Sequence, residues 1–316
     1  MLIRRYDLKL KSPIKIRIFK ENSFWDLAWK RFKRKKLGLI GLSLVLMITV
    51  MGIFAPLLAL YDPNDQSALI YGPGSYAPPS LAHPLGTDRF GFDVYSRILY
   101  GARTALIVGI LTAILSSIIG IMIGAIAGFL GGQTDEILMR FTEAFMLVPS
   151  FVVILFLVRI FNILSPKTFL GQIPLLNLWI IIFVLAVFDW PPIARVARSQ
   201  FLKLKDQEFV EAARCLGASN WRIIFNHVLP NALPPIAVLS ALEVGNAILS
   251  EAMISFLGFG DPHVISWGQM LTFAAQDMQV APWVVIAPGV FIFLMILGSN
   301  LLAESLSDAL NPRLKE

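Results

Sequence analysis

The sequence predicts an all-α membrane protein with six transmembrane helices and both termini in the cytoplasm. Composition is the first observation: 56% of the 316 residues are hydrophobic and only 15% are charged, whereas soluble domains carry about 25% charged residues. The second is a series of six apolar windows, each with the roughly 20 residues that a helix needs to cross a bilayer. The third is an uneven charge distribution, because 13 of the 27 Lys and Arg precede Leu37.

The predicted spans, in chain order, are Leu37–Leu60, Ala102–Leu130, Ile137–Phe161, Leu176–Ala194, Leu233–Leu257 and Trp283–Leu302. The first is too long for the apolar region of a cleavable signal, so we expect it to stay in the membrane. The second exceeds the bilayer thickness, which predicts a tilted helix or one that begins at the interface. Asp189-Trp190-Pro191-Pro192 interrupts the fourth and predicts a kink or an early end there.

Basic residues in the connecting segments set the predicted orientation. With the N-terminus inside, 22 Lys and Arg lie in the cytoplasm and five lie outside. Residues 1–36 are then a basic cytoplasmic tail that meets the lipid surface, residues 37–312 form the membrane domain, and residues 313–316 end in the cytoplasm. Residues 61–100, rich in Pro, Gly, Tyr and Asp, predict an external loop with turns. A later external loop is expected to contain a short helix near Trp267–Gln276.

The cytoplasmic segment between the fourth and fifth spans, residues 195–232, has a distinct pattern. Apolar and small residues recur at helical spacing from Phe201 to Leu216, and Gly217 predicts the end of that helix in a left-handed conformation. Ser219 or Asn220 is expected to cap a second short helix, Trp221–Leu229, which Pro230 closes. The segment thus predicts two short helices joined by a sharp bend. An ordinary amphipathic loop between spans is the alternative.

Residues 211–231, EAARCLGASNWRIIFNHVLPN, resemble the EAA loop of ABC-importer permeases, the cytoplasmic segment that docks on an ATPase subunit. The spacing from Glu211-Ala212-Ala213 to Gly217 and on to Leu229-Pro230-Asn231 carries this resemblance. Further stretches that fit are His83–Leu106, Ser255–Gly260, Trp267–Leu271, Pro282–Gly289 and Asn300–Arg313. Together they are similar to the C-type permease subunit of dipeptide, oligopeptide and nickel importers. The chain departs from that family at Phe92, where an arginine is frequent.

The resemblance implies a type I ABC-importer permease in a bacterial or archaeal cell membrane. It implies several protein partners: a homologous second permease, two ATP-binding cassette ATPases and an extracytoplasmic solute-binding protein. It also implies contact with the lipid bilayer. No nucleic acid partner is expected. The ATPase-coupling residues that it implies are Glu211, Ala212, Ala213, Gly217, Ala218, Ser219 and Arg222.

The sequence predicts a non-catalytic subunit that binds no cofactor of its own. It lacks the pattern G-x-x-x-x-G-K-[ST] that cradles nucleotide phosphates, so ATP-Mg belongs to the partner ATPases. The three histidines are far apart and have no metal-ligand spacing. No metal site is therefore expected.

The fifth span carries a polar stripe. One arc of the helical wheel holds Ser240, Glu243, Asn246, Ala247, Ser250 and Glu251, opposite Val238, Leu242, Leu249 and Met253. A charge that faces lipid costs at least about 2.5 kcal/mol, so Glu243 is expected to face protein or a water-filled path. The first five residues of the arc are candidates for a translocation path, in which Glu243 attracts cationic groups such as a peptide amino terminus. Close packing against a neighbouring span is the alternative.

Peptides are the expected solute, with nickel complexes, glutathione-like peptides and oligosaccharides left open because the binding protein selects the substrate in such importers. An ion-coupled secondary transporter is the alternative from another class. Such a protein needs buried ionisable groups and often has two related halves. Asp189, Glu243, Glu251 and Arg159 could serve, but the sequence shows no internal repeat. A membrane scaffold without transport would leave the EAA pattern without a purpose.

Overall fold

The computed structural model describes residues 24–66, 74–164 and 175–310. These ranges are predominantly helical, and their one β-pairing is an isolated bridge between Thr87 and Asp93. The helices are α1 (Phe24–Arg34), α2 (Lys36–Ile53), α3 (Ala55–Leu58), α4 (Val94–Leu130), α5 (Gly132–Leu147), α6 (Ser150–Leu164), α7 (Leu176–Asp189), α8 (Pro191–Leu204), α9 (Glu208–Cys215), α10 (Asn220–Ile223), α11 (Leu229–Phe256), α12 (Trp267–Ala274) and α13 (Pro282–Leu310). The all-α class is confirmed. Residues 1–23 of the predicted tail 1–36 and the predicted tail 313–316 lie outside the described residues, whereas Phe24–Arg34 of the first tail form α1.

Four helical stretches in the described residues are long and apolar enough to cross a membrane: α2, α4, the run Asn220–Phe256 and α13. Two bent pairs pass the same test together, α5 with α6 and α7 with α8, the second bent by 43°. By length and composition, these residues therefore contain up to six candidate spans when each bent pair counts as one. The bend between α7 and α8 lies at the predicted interruption, where Pro191 and Pro192 follow Asp189.

The third span differs from the continuous helix predicted for Ile137–Phe161. The structure bends the chain by 82° between α5 and α6. Pro149 explains the bend, because proline lacks the N–H for a helical hydrogen bond and forces the residue before it out of the helical region. Val148 accordingly has extended backbone angles, with φ −78° and ψ 129°.

Helix α4 begins at Val94, within the predicted external loop, and runs for 37 residues. At about 1.5 Å per residue it is about 55 Å long, well beyond the roughly 30 Å of a hydrocarbon core. Asp93 caps its first turn, since its carboxylate accepts hydrogen bonds from the backbone N–H and the hydroxyl of Ser96, at 2.8 and 2.7 Å. The helix thus extends beyond the bilayer at its predicted external end, where the Trp267 indole of α12 donates to the Ile98 carbonyl at 3.0 Å.

The other end of α4 packs tightly on α8 through a row of glycines. Gly120, Gly124 and Gly128 recur at every fourth residue and face Ile193, Ala197 and Phe201. A Cβ atom on Gly124 would lie 2.6 Å from the Cβ of Ala197, so only glycine allows this approach. Such small-residue seams let helix backbones approach closely within a membrane. The seam fixes the end of α8 that leads into the EAA segment, residues 195–232.

The predicted orientation is tested by a cysteine on each side of the membrane. In a background that lacks the native Cys215, we expect an impermeant thiol reagent to label Ser75→Cys in intact spheroplasts and to leave Ser12→Cys unlabelled. The reason is the excess of Lys and Arg predicted on the cytoplasmic side. Permeabilised cells provide the control, because both positions should then react. Labelling of Ser12→Cys alone before permeabilisation would show that the chain has the opposite orientation.

Candidate functional site

The first half of the EAA segment contains two helices instead of the single helix predicted from Phe201 to Leu216. Helix α8 ends at Leu204 with Lys203 in its last turn, and α9 begins at Glu208. A cation at a helix C-terminus and acids at the next N-terminus both favour such a break, because they complement the two helix dipoles. Gln207 joins the helices in an extended conformation, with φ −84° and ψ 148°.

The predicted turn after α9 is confirmed. Gly217 has φ +80°, the left-handed conformation that glycine adopts without steric cost. Two bonds close a Schellman motif: Ala218 N–H donates to the Ala213 carbonyl at 3.1 Å, and Gly217 N–H donates to the Arg214 carbonyl at 2.9 Å. Ser219 caps the following helix, as predicted, by accepting from the Arg222 N–H at 3.4 Å.

The second helix of the segment does not end at Pro230, which corrects the sequence prediction. Helix α10 continues through a π-helical turn, Ile224–Val228, into α11, so that Asn220–Phe256 is one uninterrupted helical run. Pro230 lies in the first turn of α11, where a missing N–H is tolerated. The Asn231 side-chain amide donates to the His227 carbonyl at 2.7 Å, which provides that carbonyl with a donor at the irregular turn. The part of the EAA segment that begins at Asn220 is therefore continuous with the fifth span.

The EAA segment packs into a buried hydrophobic cluster, which we call the hydrophobic base. Val210 and Ala213 of α9 and Ile223 of α10 are buried. They belong to a cluster built by α4, α8, α9, α10 and α11: Ala125, Phe129, Ile193, Ala197, Phe201, Val210, Ala213, Ile223, Ile224, Val228, Ala232 and Ile236. Displacement of α9 must therefore displace the helices below it, because packed interiors do not deform continuously.

The outer surface of the segment is apolar and uncovered in the isolated chain. We define the coupling face as Phe209, Ala212, Leu216, Trp221 and Phe225. Leu216 is 89% exposed and Trp221 62%, and the Trp221 and Phe225 rings stack at a centroid distance of 6.0 Å. An open cavity of about 510 Å³ adjoins this face. Exposed apolar patches of this kind mark interaction sites.

The predicted coupling residues divide between this surface and the base. Glu211, Ala212, Gly217, Ser219 and Arg222 are exposed, Ala218 is half-buried and Ala213 is buried. The coupling residues that the resemblance to the EAA loop implies do not include the four large apolar residues of this surface, Phe209, Leu216, Trp221 and Phe225. The sequence feature that indicates this docking surface is the placement of large apolar residues between charged ones in a predicted cytoplasmic segment.

A groove runs along one side of the bundle between α5, the α7–α8 bend and α11. It consists of two adjoining cavities of about 630 and 410 Å³, which share Met146 and Pro192. Arg198 lines the larger cavity. Its guanidinium is held in place by both carboxylate oxygens of Asp135, at 2.5 and 2.6 Å. The groove is open to the outside of the isolated chain and is large enough for a small solute.

The predicted path residues are only partly brought together. Glu243, Asn246 and Ser250 line the smaller cavity. The Ser240 hydroxyl instead lies 2.7 Å from the hydroxyl of Ser117 on α4, and Ala247 is completely buried. The predicted path residues are therefore split: three face the groove, Ser240 contacts α4, and Ala247 is buried within the protein.

Leu249 and Met253 also line the smaller cavity, although the sequence analysis placed them on the face opposite the polar stripe. A helical wheel gives the relative angles of side chains within one helix, but it does not show where the neighbouring helices lie. The face of α11 that lines the groove therefore differs from the predicted polar face. Asp189 lies in the same cavity beside Glu243. The sequence places Asp189 at the predicted kink and among the candidate ion-coupling groups, but does not predict its position beside Glu243.

At the predicted external end, one ion pair connects the loop before α4 to the segment that follows α12, and a second connects the same loop to α4. Arg89 forms a bidentate pair with Asp277, and an Arg97 guanidinium nitrogen lies 3.4 Å from an Asp88 carboxylate oxygen. Phe92 lies against Arg97, whose guanidinium carbon is 4.3 Å from the ring centroid. The residue that departs from the family pattern thus packs against a cation already present.

The Arg89–Asp277 pair predicts a pH-dependent stability difference. Hydrogen bonds from Arg89 hold the pKa of the Asp277 carboxyl below its usual range. The contribution of the pair is therefore present above the usual carboxyl pKa and is lost as the pH falls through the lowered one. Arg89→Gln should lower the unfolding temperature at neutral pH, because the Asp277 carboxylate loses its charged donor.

Thermal unfolding of the purified protein in detergent measures this difference. The loss should be large at pH 7 and should shrink in acid, once Asp277 is protonated. Arg103→Gln, an exposed arginine on α4, is the matched control and should leave the unfolding temperature unchanged. An Arg89→Gln deficit that stayed constant into acid would contradict the ion-pair interpretation.

Comparison with known proteins agrees with this arrangement. Residues 120–316 match the family model described as binding-protein-dependent transport system inner membrane component. Residues 23–79 match the N-terminal TM domain of oligopeptide transport permease C.

Several characterised proteins are similar over nearly their whole lengths. The oligopeptide transport system permease protein OppC of Bacillus subtilis is 37% identical over 94% of this chain and 92% of its own. The dipeptide transport system permease protein DppC of Alkalihalophilus pseudofirmus is 37% identical over 92% of this chain and 90% of its own. The glutathione transport system permease protein GsiD of Escherichia coli O157:H7 is 35% identical over 92% and 91%, respectively.

Proposed function

The chain belongs to the family of binding-protein-dependent transport system inner membrane components, as a C-type permease of ABC importers, and from this premise we propose that it forms half of the translocation path of a peptide importer. Membership makes it a multi-pass protein of the inner membrane. Its relatives are named as permeases of oligopeptide, dipeptide and glutathione transport systems. These names support peptides as the solute class. The groove beside α11 is the surface that the path would use.

One observation supports the proposal most strongly: the apolar coupling face is exposed, and the helices that carry it pack into the hydrophobic base. An ATPase subunit that covers Leu216 and Trp221 would bury apolar surface that is otherwise exposed, at about 25 cal/mol per Å². Two such ATPases, one for each permease, would hold ATP-Mg, and this chain would contribute no catalytic group. A second permease of the same fold would close the groove, and an extracytoplasmic binding protein would deliver the solute.

The continuous helix Asn220–Phe256 provides the mechanical link in this proposal. Trp221 and Phe225 lie near one end of the run, and Glu243 and Asn246 of the groove lie farther along it. A helix that is continuous from one site to the other can transmit a displacement along its length. Closure of the ATPases around ATP would therefore reposition the groove wall and switch the side from which the path is open.

Reconstitution tests the function directly. The chain, its companion permease, the two ATPases and the binding protein would be purified into proteoliposomes, and uptake of labelled tri-alanine would be measured. We expect uptake to require both ATP and the binding protein and to persist when ionophores dissipate ion gradients. Uptake driven by an ion gradient without ATP would support a secondary transporter instead.

Glu211→Lys tests the coupling role within the same system. Reversing this exposed charge should leave assembly near normal but abolish peptide uptake, together with stimulation of ATP hydrolysis by the binding protein. Glu136→Lys is the matched control, because Glu136 is 68% exposed in a weak surface pair with Arg140. Normal uptake by the Glu211→Lys complex would remove this residue from the coupling machinery.

A further inference from the structure

Two carboxyl groups meet in the smaller cavity of the groove. Asp189 is the last residue of α7 and Glu243 lies in the middle of α11. Their side chains are close enough to share a hydrogen bond, and the Asn246 amide lies beside Glu243. Three helices (α8, α9 and α10), the turns between them and a π-helical turn separate the two acids along the chain, so the tertiary fold brings them together.

Glu243 is incompletely satisfied. Its side chain lines the cavity and is only 8% exposed. Its Oε1 atom has no hydrogen-bond partner among residues 24–66, 74–164 and 175–310. Buried carboxylate oxygens normally have a donor, so an unpartnered one that faces a cavity marks a position where a ligand could donate.

Aromatic rings form the wall next to the carboxyl pair. Phe145 and Phe188 line the same cavity, with ring centroids 5.7 Å apart. Trp190 packs behind them, 5.4 Å from Phe145. Aromatic faces attract organic cations, and this attraction strengthens when the cation loses water.

We propose that Asp189, Glu243 and the adjoining aromatic wall form a binding site for a protonated amine of the solute during its passage. An ammonium group donates up to three hydrogen bonds and has no acceptor, which suits the open Oε1 atom of Glu243 and its carboxyl neighbour. Two ionised carboxylates side by side repel each other, and a cation placed against both removes that repulsion. This inference rests on the proposed peptide function, since peptides carry such groups at the N-terminus and on lysine.

A metal ion fits this site less well. In the described part of the chain, no group of three or more His, Cys, Asp or Glu residues is arranged to hold a metal. The remaining walls of the cavity are Phe, Met, Val, Leu and Pro residues with one side-chain amide and one hydroxyl, which suits an organic cation. Hard divalent cations such as calcium require about six oxygen ligands.

The position of the pair links binding to the transport cycle. Asp189 lies at the bend between α7 and α8, and α8 leads into the EAA segment. Glu243 lies on the helical run that begins at Asn220. Movement of the coupling face therefore shifts both carboxyls, which would assemble the site in one state of the complex and separate it in another.

The test compares uptake ratios in the reconstituted complex with an unchanged binding protein, whose own selectivity cancels between variants. The lysine source is examined with Ala-Lys-Ala against tri-alanine, and the N-terminal source with tri-alanine against N-acetyl-tri-alanine. We expect Glu243→Gln to lower at least one ratio by about tenfold, as expected for loss of a charged contact of about 1.4 kcal/mol. Glu243→Asp should keep most of the preference, and the exposed Glu136→Gln should change neither ratio.

Asp189→Asn provides a second test if Glu243→Gln does not assemble, and it should lower the same ratio. Both ratios unchanged in an assembled Glu243→Gln or Asp189→Asn complex would overturn the ammonium site while leaving peptide transport intact. A wild-type complex that took up none of these peptides would overturn the proposed function and the site together. Equal loss of every peptide would assign the carboxyl pair to packing and would also overturn the site.

Discussion

Gly217→Val is expected to abolish transport while the complex still assembles. Gly217 has φ +80°, and a β-branched residue is strongly disfavoured in that conformation. The added side chain itself would meet open space, because no atom lies within 4 Å of its Cβ position. The effect is therefore backbone strain of about 1–3 kcal/mol at one turn, which is relieved by rearranging the Schellman motif and tilting α9 away from its docking position.

Gly217→Asn is the matched control, since asparagine tolerates the left-handed conformation better than other non-glycine residues. The two variants would be compared for membrane content, peptide uptake and stimulation of ATP hydrolysis by the binding protein. We expect Asn to retain most of the activity and Val to lose both uptake and stimulation. Equal activity of the two variants would show that the geometry of this turn is not needed for coupling.

Gly124→Leu should have the largest effect on assembly. A Cβ atom at this position would lie 2.6 Å from the Cβ of Ala197 and 2.8 Å from the backbone nitrogen of Arg198. Because backbone cannot yield as a side-chain tip can, α8 must move off α4, and overpacking of this kind costs about 1–3 kcal/mol or more. The displaced α8 would also disturb the Arg198–Asp135 pair and the base of the EAA segment.

The measurement is the amount of folded protein in the membrane and its unfolding temperature in detergent. Gly289→Leu on α13 is the control, because its Cβ position has no neighbour within 4 Å. We expect Gly124→Leu to be strongly depleted and Gly289→Leu to accumulate normally. Normal levels and stability of Gly124→Leu would mean that the glycine seam is not required for the α4–α8 contact.

Local signals in the sequence were sufficient for the features that depend on local physics. The six spans followed from apolar length, and the turn at Gly217 followed from a glycine after a helix and a serine cap two residues later. These features need no knowledge of distant neighbours. The bend at Pro149 was equally local but was missed, because the apolar window around it was continuous.

Features that depend on tertiary packing were not accessible from the sequence. Pro230 predicted the end of a helix, but a π-helical turn and a side-chain donor from Asn231 keep the run continuous. The periodicity of α11 identified its polar stripe, yet the direction of that stripe depends on where α4 and α7 pack. Asp189 and Glu243 could be paired only once both helices had been placed.

Photo-cross-linking from Cys215 tests the central claim, that the EAA segment docks on an ATPase subunit. Cys215 is the single cysteine of the chain, and it is exposed at the end of α9, next to Leu216 of the coupling face. A photoreactive maleimide attached there in the assembled complex should, on illumination, cross-link this chain to an ATPase subunit, with a yield that changes when ATP binds. Cross-links confined to lipid or to the companion permease, with the ATPases present and active, would contradict the account.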